Sequence, residues 1–257
     1  MRVISAAEQK KVIEMADIIE AVSTALCEYS QSHMVTPMRT VIPVSRYGGN
    51  ALTMPASAED IGCLGVKCVT VFPRNREKGK QTIHGVMLIF NVETGEPVAL
   101  LEGSYLTVVR TGALSGLATQ HLSRKDASVL CLIGTGAQAR GVATAVMAVR
   151  EIKEIRLVNR TASKAHDFAK ELRKEYGAID VRVVSDADEG VSEADIVVTA
   201  TNSDVPVFSA NALKPGAHVN AIGSFRPTMQ EIPSEVIVQA DKVVVESREA
   251  ALEEAGD

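Results

Sequence analysis

The chain is predicted to be an α/β protein in which a doubly wound parallel sheet follows an α+β domain. Three observations predict this. From Ser128 onward, apolar runs of strand length alternate with amphipathic helical stretches, and a glycine-rich turn joins the first such run to the first such helix. Before that point, a single clear helical pattern is followed by several strand-like runs, as an α+β region would show.

In the front region the periodicity predicts a helix over Met15–Ser30 and strands over Thr40–Val44, Ala51–Pro55, Ile61–Phe72 and Gly85–Val92. The stretch Pro73–Thr82 is polar, with Arg74, Arg76, Lys78 and Lys80 around Gly79, and reads as a loop. It is either a solvated hairpin tip or a lid over a substrate, and loop character alone decides neither. A helical pattern returns over Ser104–Leu122 and SRKDAS breaks it, which puts the domain boundary between residues 123 and 124: a first domain 1–123, a second 124–257. The second domain runs SVLCLIG, GAQARGVATAVMAV, IRLVN, SKAHDFAKELRKEY, VRVV, IVVTA, AHVNAIG and KVVVES. Near-continuous Val/Ile strands separated by helices are what a parallel sheet covered on both faces requires.

At 257 residues the chain is long enough for two cores, and two domains can enclose a cleft. Hydrophobic residues at 46% and charged residues at 23% are a globular balance. No apolar run approaches the roughly 18 to 20 residues that span a bilayer. The start MRVISAAEQKK lacks a charged leader followed by a long apolar stretch, so a cytoplasmic protein without a membrane partner is expected. With a net charge of −5 and scattered basic residues, nucleic acid is not an expected partner. Cys27, Cys63, Cys68 and Cys131 show no C-x-x-C spacing; they read as buried reduced thiols, and no metal is expected.

The run Val129–Ile133 feeds into Gly134-Thr135-Gly136-Ala137-Gln138-Ala139, a G-x-G-x-x-A sequence between a strand and a helix. Gly134 permits the tight turn, Gly136 lets backbone approach a pyrophosphate, and Ala139 is small enough for close helix–strand packing. In this context the pattern points to a Rossmann-type dinucleotide site rather than a merely flexible turn. The next strand ends Leu157-Val158-Asn159-Arg160-Thr161, where an NAD-preferring protein would place an acid for the ribose 2′-hydroxyl. Arg160 could instead make charge-assisted bonds to a 2′-phosphate, so NADPH is favoured over NADH; otherwise Arg160 is an exposed residue at a strand end. Thr161 and Ser163 either add hydroxyl donors or cap the following helix. Thr201 and Gly223, after the runs IVVTA and AHVNAI, stand at strand ends of the same sheet and are counted with the cofactor residues.

Two cations in the front half sit in apolar surroundings. Lys67 lies within GCLGVKCVTVF, where an ammonium without a partner would be costly to desolvate. Either an anion meets it or its stem carries the charge to water. Arg110 has Leu106, Ala113, Leu114 and Leu117 as helical neighbours, which puts its charge on the packing face. It is held by a structural ion pair or offers a bidentate fork to a substrate carboxylate. Arg39 stands just ahead of the strand TVIPV.

Pro37-Met38-Arg39, Val66-Lys67, Thr82-x-His84-Gly85, EGSYLTVVRTGALSGLAT, IGTGAQA and IGSFRP together resemble the ornithine cyclodeaminase/mu-crystallin family over nearly the whole chain. The resemblance implies that Arg39, Lys67 and Arg110 grip a substrate carboxylate and that Thr82 lies near the reacting centre. It also implies a dinucleotide domain docked on a substrate domain that pairs into a homodimer. Family enzymes that cyclise ornithine carry an acid shortly after the glycine of the fifth sheet strand, whereas this chain reads Gly223-Ser224-Phe225-Arg226-Pro227. The expected activity is therefore reduction of the C=N bond of a small cyclic imino acid, with Lys67, Thr82 and Arg110 at the reacting centre. Ornithine cyclodeaminase, an alanine-type amino-acid dehydrogenase and a non-catalytic NADPH-binding protein are the alternatives. His84 is a proton relay or a structural histidine. Members of the family run some tens of residues further and return a terminal segment to the first domain; no such segment is expected here.

Overall fold

The computed structural model describes residues 1–257, side chains included except at residue 254. It divides into two compact units, Met1–Val109 and Arg110–Asp257.

The first unit opens with β1 (Arg2–Ile4), α1 (Ala6–Val12) and α2 (Met15–Ser30). Ser5 and Glu8 form a reciprocal capping box that starts α1. Four antiparallel strands follow: β2 (Thr40–Val44), β3 (Gly49–Ala58), β4 (Cys63–Val71) and β5 (Ile83–Phe90), with β6 (Pro97–Glu102) completing a six-stranded sheet. Its order is β1-β6-β5-β4-β3-β2, with β1 pairing parallel to β6. The strand expected over Gly85–Val92 lies two residues earlier, because the Asn91 side chain accepts from the Glu93 and Thr94 amides and turns the chain there. Six residues of the polar loop, Pro73–Lys78, wind into a 3₁₀ turn that ends at left-handed Gly79.

Helix α3 (Gly103–Leu122) runs from the end of the first unit into the second. The division between units therefore falls inside this helix at Val109/Arg110. The Glu102 carboxylate accepts from the Ser104 and Tyr105 amides at its N-terminus. Burial alone would raise the pKa of that carboxyl, but these bonds bring it below the ordinary range.

The second unit is built on β7 (Val129–Ile133), α4 (Ala139–Val149), β8 (Glu154–Val158), α5 (Ala162–Tyr176), β9 (Asp180–Val184), α6 (Ala187–Val191), β10 (Ile196–Thr199) and β11 (His218–Ala221), followed by α7 (Ser234–Gln239) and α8 (Arg248–Glu254). All five strands are parallel, in the order β11-β10-β7-β8-β9. This is the doubly wound arrangement expected from the sequence: the chain moves outward from β7 through β8 to β9, then returns to add β10 on the other side. Both faces are buried. Leu130, Leu132, Ile155 and Leu157 pack against Val142, Val146, Phe168 and Leu172 on one face, and Cys131, Ile133 and Val197 against Val191, Phe208 and Ile232 on the other. Gly112 of α3 crosses Gly141 of α4 so closely that a Cβ at Gly112 would sit 2.3 Å from the Gly141 carbonyl oxygen.

Two expectations are corrected. The KVVVES stretch is not a strand: Val243, Val244 and Val245 are exposed and outside the sheet, and β11 remains its edge. A β-branched run signals a fit to a pleated surface, but only a neighbouring ladder makes it a strand. The cysteines are free, but Cys27 and Cys63 are exposed and only Cys131 is buried, its thiol pushed up to about 12 by desolvation. No described helix is long and apolar enough to cross a membrane.

Candidate active site

The turn after β7 has the form the dinucleotide pattern requires. Gly134 adopts φ +100°, and a Cβ there would lie 2.5 Å from the Ala200 carbonyl oxygen and 3.0 Å from Thr201 Cγ2. Only glycine permits that approach of the β7 and β10 ends. Gly136 is the opposite case: it is exposed, and nothing lies within 4 Å of where its Cβ would be. Ala137 is exposed beside it, and Ala139 is fully buried at the start of α4. Asn159, just past β8, ties this turn to the neighbouring strand end. Its Oδ1 accepts from the Thr135 amide at 3.1 Å, and its Nδ2 donates to the Thr161 carbonyl at 2.9 Å. Arg160 beside it is exposed, and Thr161 is the N-cap residue of α5 without a side-chain cap bond.

A second constellation joins the ends of β10 and β11, and sequence reasoning missed its centre. Glu231 is completely buried, and its carboxylate accepts from Thr199 Oγ1 at 3.0 Å, Thr201 Oγ1 at 2.7 Å, the Thr201 amide and the Gly223 amide at 2.6 Å. Gly223 has no room for a side chain: a Cβ would lie 2.2 Å from the Thr201 carbonyl oxygen and 2.6 Å from Glu231 Cδ. The only available signal was an acid set among the apolar residues of TMQEIP, too weak to separate from a surface glutamate. Thr201 and Gly223, by contrast, stand where the sequence placed them, at the strand ends. In the loop after Gly223, Phe225 is 54% exposed, with the Arg226 guanidinium 5.1 Å from its ring centre.

These residues fit a dinucleotide. The buried atoms Thr135 Oγ1, Gln138 Oε1 and Ser224 Oγ have no hydrogen-bond partner among the described residues, although buried polar atoms ordinarily have one. Thr135 and Gln138 flank the open glycine at the start of α4, where a hydroxyl can donate to a phosphate oxygen and an amide oxygen can accept from a ribose hydroxyl; Ser224 follows β11.

The remaining predicted residues belong mainly to the first unit. Lys67 lies on β4 between Met54 of β3 and Met87 of β5, and Arg39 enters the sheet one residue ahead of the Thr40–Thr53 pair, next to that row. Thr82 sits where the loop rejoins the sheet, its carbonyl accepting from the Phe72 amide at 2.7 Å. His84 pairs with Thr70, so alternation places it on the face opposite Lys67. The expectation of two cations buried in apolar surroundings is corrected: Lys67 is half-buried and Arg110 is exposed; Arg39 is exposed as well. Helix α3 is apolar around much of its circumference, so apolar neighbours do not fix which face is buried: Ala113 is fully buried, whereas Leu106, Leu114 and Leu117 are only partly so. Surrounding protein mass still draws the Arg110 guanidinium below its ordinary pKa, while the Glu246 carboxylate acts the other way.

A doubly wound parallel sheet whose first turn has an open Gly136 and unpartnered buried oxygens defines a dinucleotide-binding protein. The chain belongs to the ornithine cyclodeaminase/mu-crystallin family, whose model matches residues 1–257. It is 53% identical over 257 residues to a Delta(1)-pyrroline-2-carboxylate reductase of Bacillus cereus, covering all of this chain and 78% of that one. Among solved structures it is similar to the Thermococcus litoralis Delta(1)-pyrroline-2-carboxylate reductase in complex with NADH and L-proline, at 36% identity and a TM-score of 0.92, over 100% of this chain and 79% of the other. An archaeal alanine dehydrogenase dimer with bound NAD matches at 31% identity and a TM-score of 0.89, over 99% of this chain and 77% of the other.

Proposed function

We propose that this protein reduces the C=N bond of a small cyclic imino acid, pyrroline-2-carboxylate or piperideine-2-carboxylate, to proline or pipecolate, using NADPH in preference to NADH. The observation that carries this reading is the identity of more than half with a pyrroline-2-carboxylate reductase along the entire chain. The loop after β11 supports it: Gly223–Pro227 contains no acid, and the nearest following one, Glu231, is buried with both oxygens occupied, so neither Phe225 nor Glu231 can handle the water and amino group that cyclodeamination requires.

When bound, the dinucleotide supplies a hydride. The chain's own task is then to bind and orient the imine, an entropic contribution that needs few reactive side chains. Arg39, Lys67 and Arg110 are the residues we assign to the substrate carboxylate, Arg110 with a bidentate fork and Lys67 as a compact charge. Thr82 is assigned to the imine nitrogen, as a hydroxyl that can accept from the iminium N–H. Gly134–Ala139, Asn159, Thr161, Thr201 and Gly223 are assigned to the dinucleotide, and Arg160 to the 2′-phosphate. A homodimer is the assembly we propose, as in the alanine dehydrogenase neighbour, and the cytoplasm the compartment.

The test is NADPH oxidation with pyrroline-2-carboxylate, piperideine-2-carboxylate, and pyruvate plus ammonia, with ornithine assayed in parallel for ammonia release. Turnover of the cyclic imines is the expected result. Turnover only of pyruvate with ammonia, or ammonia release from ornithine alone, overturns the proposal.

A further inference from the structure

Glu231 is a fully buried acid held by four donors, and each of those donors is neutral: two threonine hydroxyls and two backbone amides. Hydrogen bonds of this kind fix the position of a carboxylate, but neutral donors bring no opposite charge to it. A buried charge is ordinarily paired with an opposite one. The location suggests what answers it. Thr199 ends β10 and Gly223 follows β11, so the carboxylate straddles the carboxyl ends of the two strands on one side of the switch point between β7 and β10. In a doubly wound sheet each half holds one mononucleotide across the strand ends. The turn after β7 and the end of β8 form the pyrophosphate and 2′-phosphate side, which leaves the β10–β11 crest to the nicotinamide half.

A nicotinamide ring is cationic when oxidised and neutral when reduced. We infer that Glu231 is a positioning residue whose buried charge makes the site prefer the oxidised dinucleotide, so that the same brace that shapes the crest also favours departure of the hydride. The inference rests on reading this crest as the nicotinamide half of the dinucleotide site. A purely structural brace would lower affinity for both redox forms together, whereas a charge acts on one of them, since unit charges inside a protein still interact appreciably across several ångströms.

The experiment measures dissociation constants for NADP⁺ and NADPH with the full chain, by calorimetry and by nicotinamide fluorescence. Glu231→Gln is expected to weaken NADP⁺ about tenfold more than NADPH. Thr199→Val, which removes one neutral donor and keeps the carboxylate, is expected to leave the ratio of the two constants at the wild-type value. Because Glu231→Gln turns an NH₂ group toward an amide donor, the ratio is also read on Glu231→Met combined with Thr199→Val, which removes the carboxylate and one hydroxyl donor together; the same shift is expected. An unchanged ratio in a folded charge-free variant, or an equal shift in Thr199→Val, overturns the inference. A wild-type protein that binds neither nucleotide refutes the dinucleotide reading instead.

Discussion

Gly136 and Gly112 make a paired prediction, because the same added methyl should do opposite things at the two positions. A Cβ at Gly136 meets no atom within 4 Å and the backbone there does not have a positive φ, so Gly136→Ala changes stability without nucleotide by less than about 0.5 kcal/mol. The open space is where we place the pyrophosphate, and a methyl projecting into it is equivalent to overpacking, about 1–3 kcal/mol. That corresponds to roughly a five- to 150-fold rise in the NADPH dissociation constant. A Cβ at Gly112 lies 2.3 Å from the Gly141 oxygen and 2.4 Å from its carbonyl carbon, so helices α3 and α4 must separate by about 1 Å to restore ordinary contact. The same overpacking cost now falls on the fold, lowering the melting temperature by about 2–4 °C per kcal/mol. Thermal unfolding without nucleotide, followed by titration with NADPH monitored by its fluorescence, reads both effects. A Gly136→Ala protein that melts early yet binds NADPH normally would refute the reasoning.

Arg160→Ala should weaken NADPH by about tenfold or more while changing NADH little, since a charge-assisted bond contributes about 1.5–3 kcal/mol; equal losses in the two titrations would show that Arg160 does not read the 2′-phosphate. Arg110→Lys keeps the charge but removes the fork, and should raise KM for the cyclic imine about tenfold while leaving NADPH binding unchanged; steady-state kinetics with each substrate varied in turn separate the two. Asp195 makes a pH prediction. Burial alone would raise its pKa, but Lys214 at 2.7 Å, the amides of Ser128 and Val129 and the Lys214 charge bring it to about 2, from 3.8 in the unfolded chain. A depressed folded pKa stabilises the protein above the unfolded value, and this contribution is lost as pH falls through the folded one. About 2 kcal/mol should therefore disappear between about pH 4 and pH 2. Urea unfolding over that range should show the loss in wild type and a smaller one in Asp195→Asn.

The second unit is legible in the sequence because its signals are local. Four-to-five-residue Val/Ile/Leu runs separated by amphipathic helices define a parallel sheet, and G-x-G-x-x-A states where its ligand turn lies. Periodicity alone places α2 over Met15–Ser30 and β2 over Thr40–Val44, the spans the structure shows. Strands β1 and β6 escape such a reading because they are short and gain their meaning from pairing with each other across most of the first unit. Helix α1 escapes it too, although Ser5 and Glu8 spell out its capping box. Exposure is harder to read than position. Arg110 has apolar neighbours yet is exposed, since a helix that is apolar nearly all round does not declare its buried face. Glu231 is invisible for the converse reason: its partners lie about eight to thirty-two positions away in sequence, and only the fold brings two threonines and a glycine to its carboxylate.

The most direct test follows the hydride itself. NADPH carrying deuterium at both C4 positions is incubated with pyrroline-2-carboxylate, and the proline formed is quantified by mass spectrometry against NADPH consumed. One deuterium at the α-carbon of each proline, with one NADPH oxidised per product, is the expected result. Proline without deuterium, or formed from ornithine with ammonia and no net NADPH loss, would contradict it.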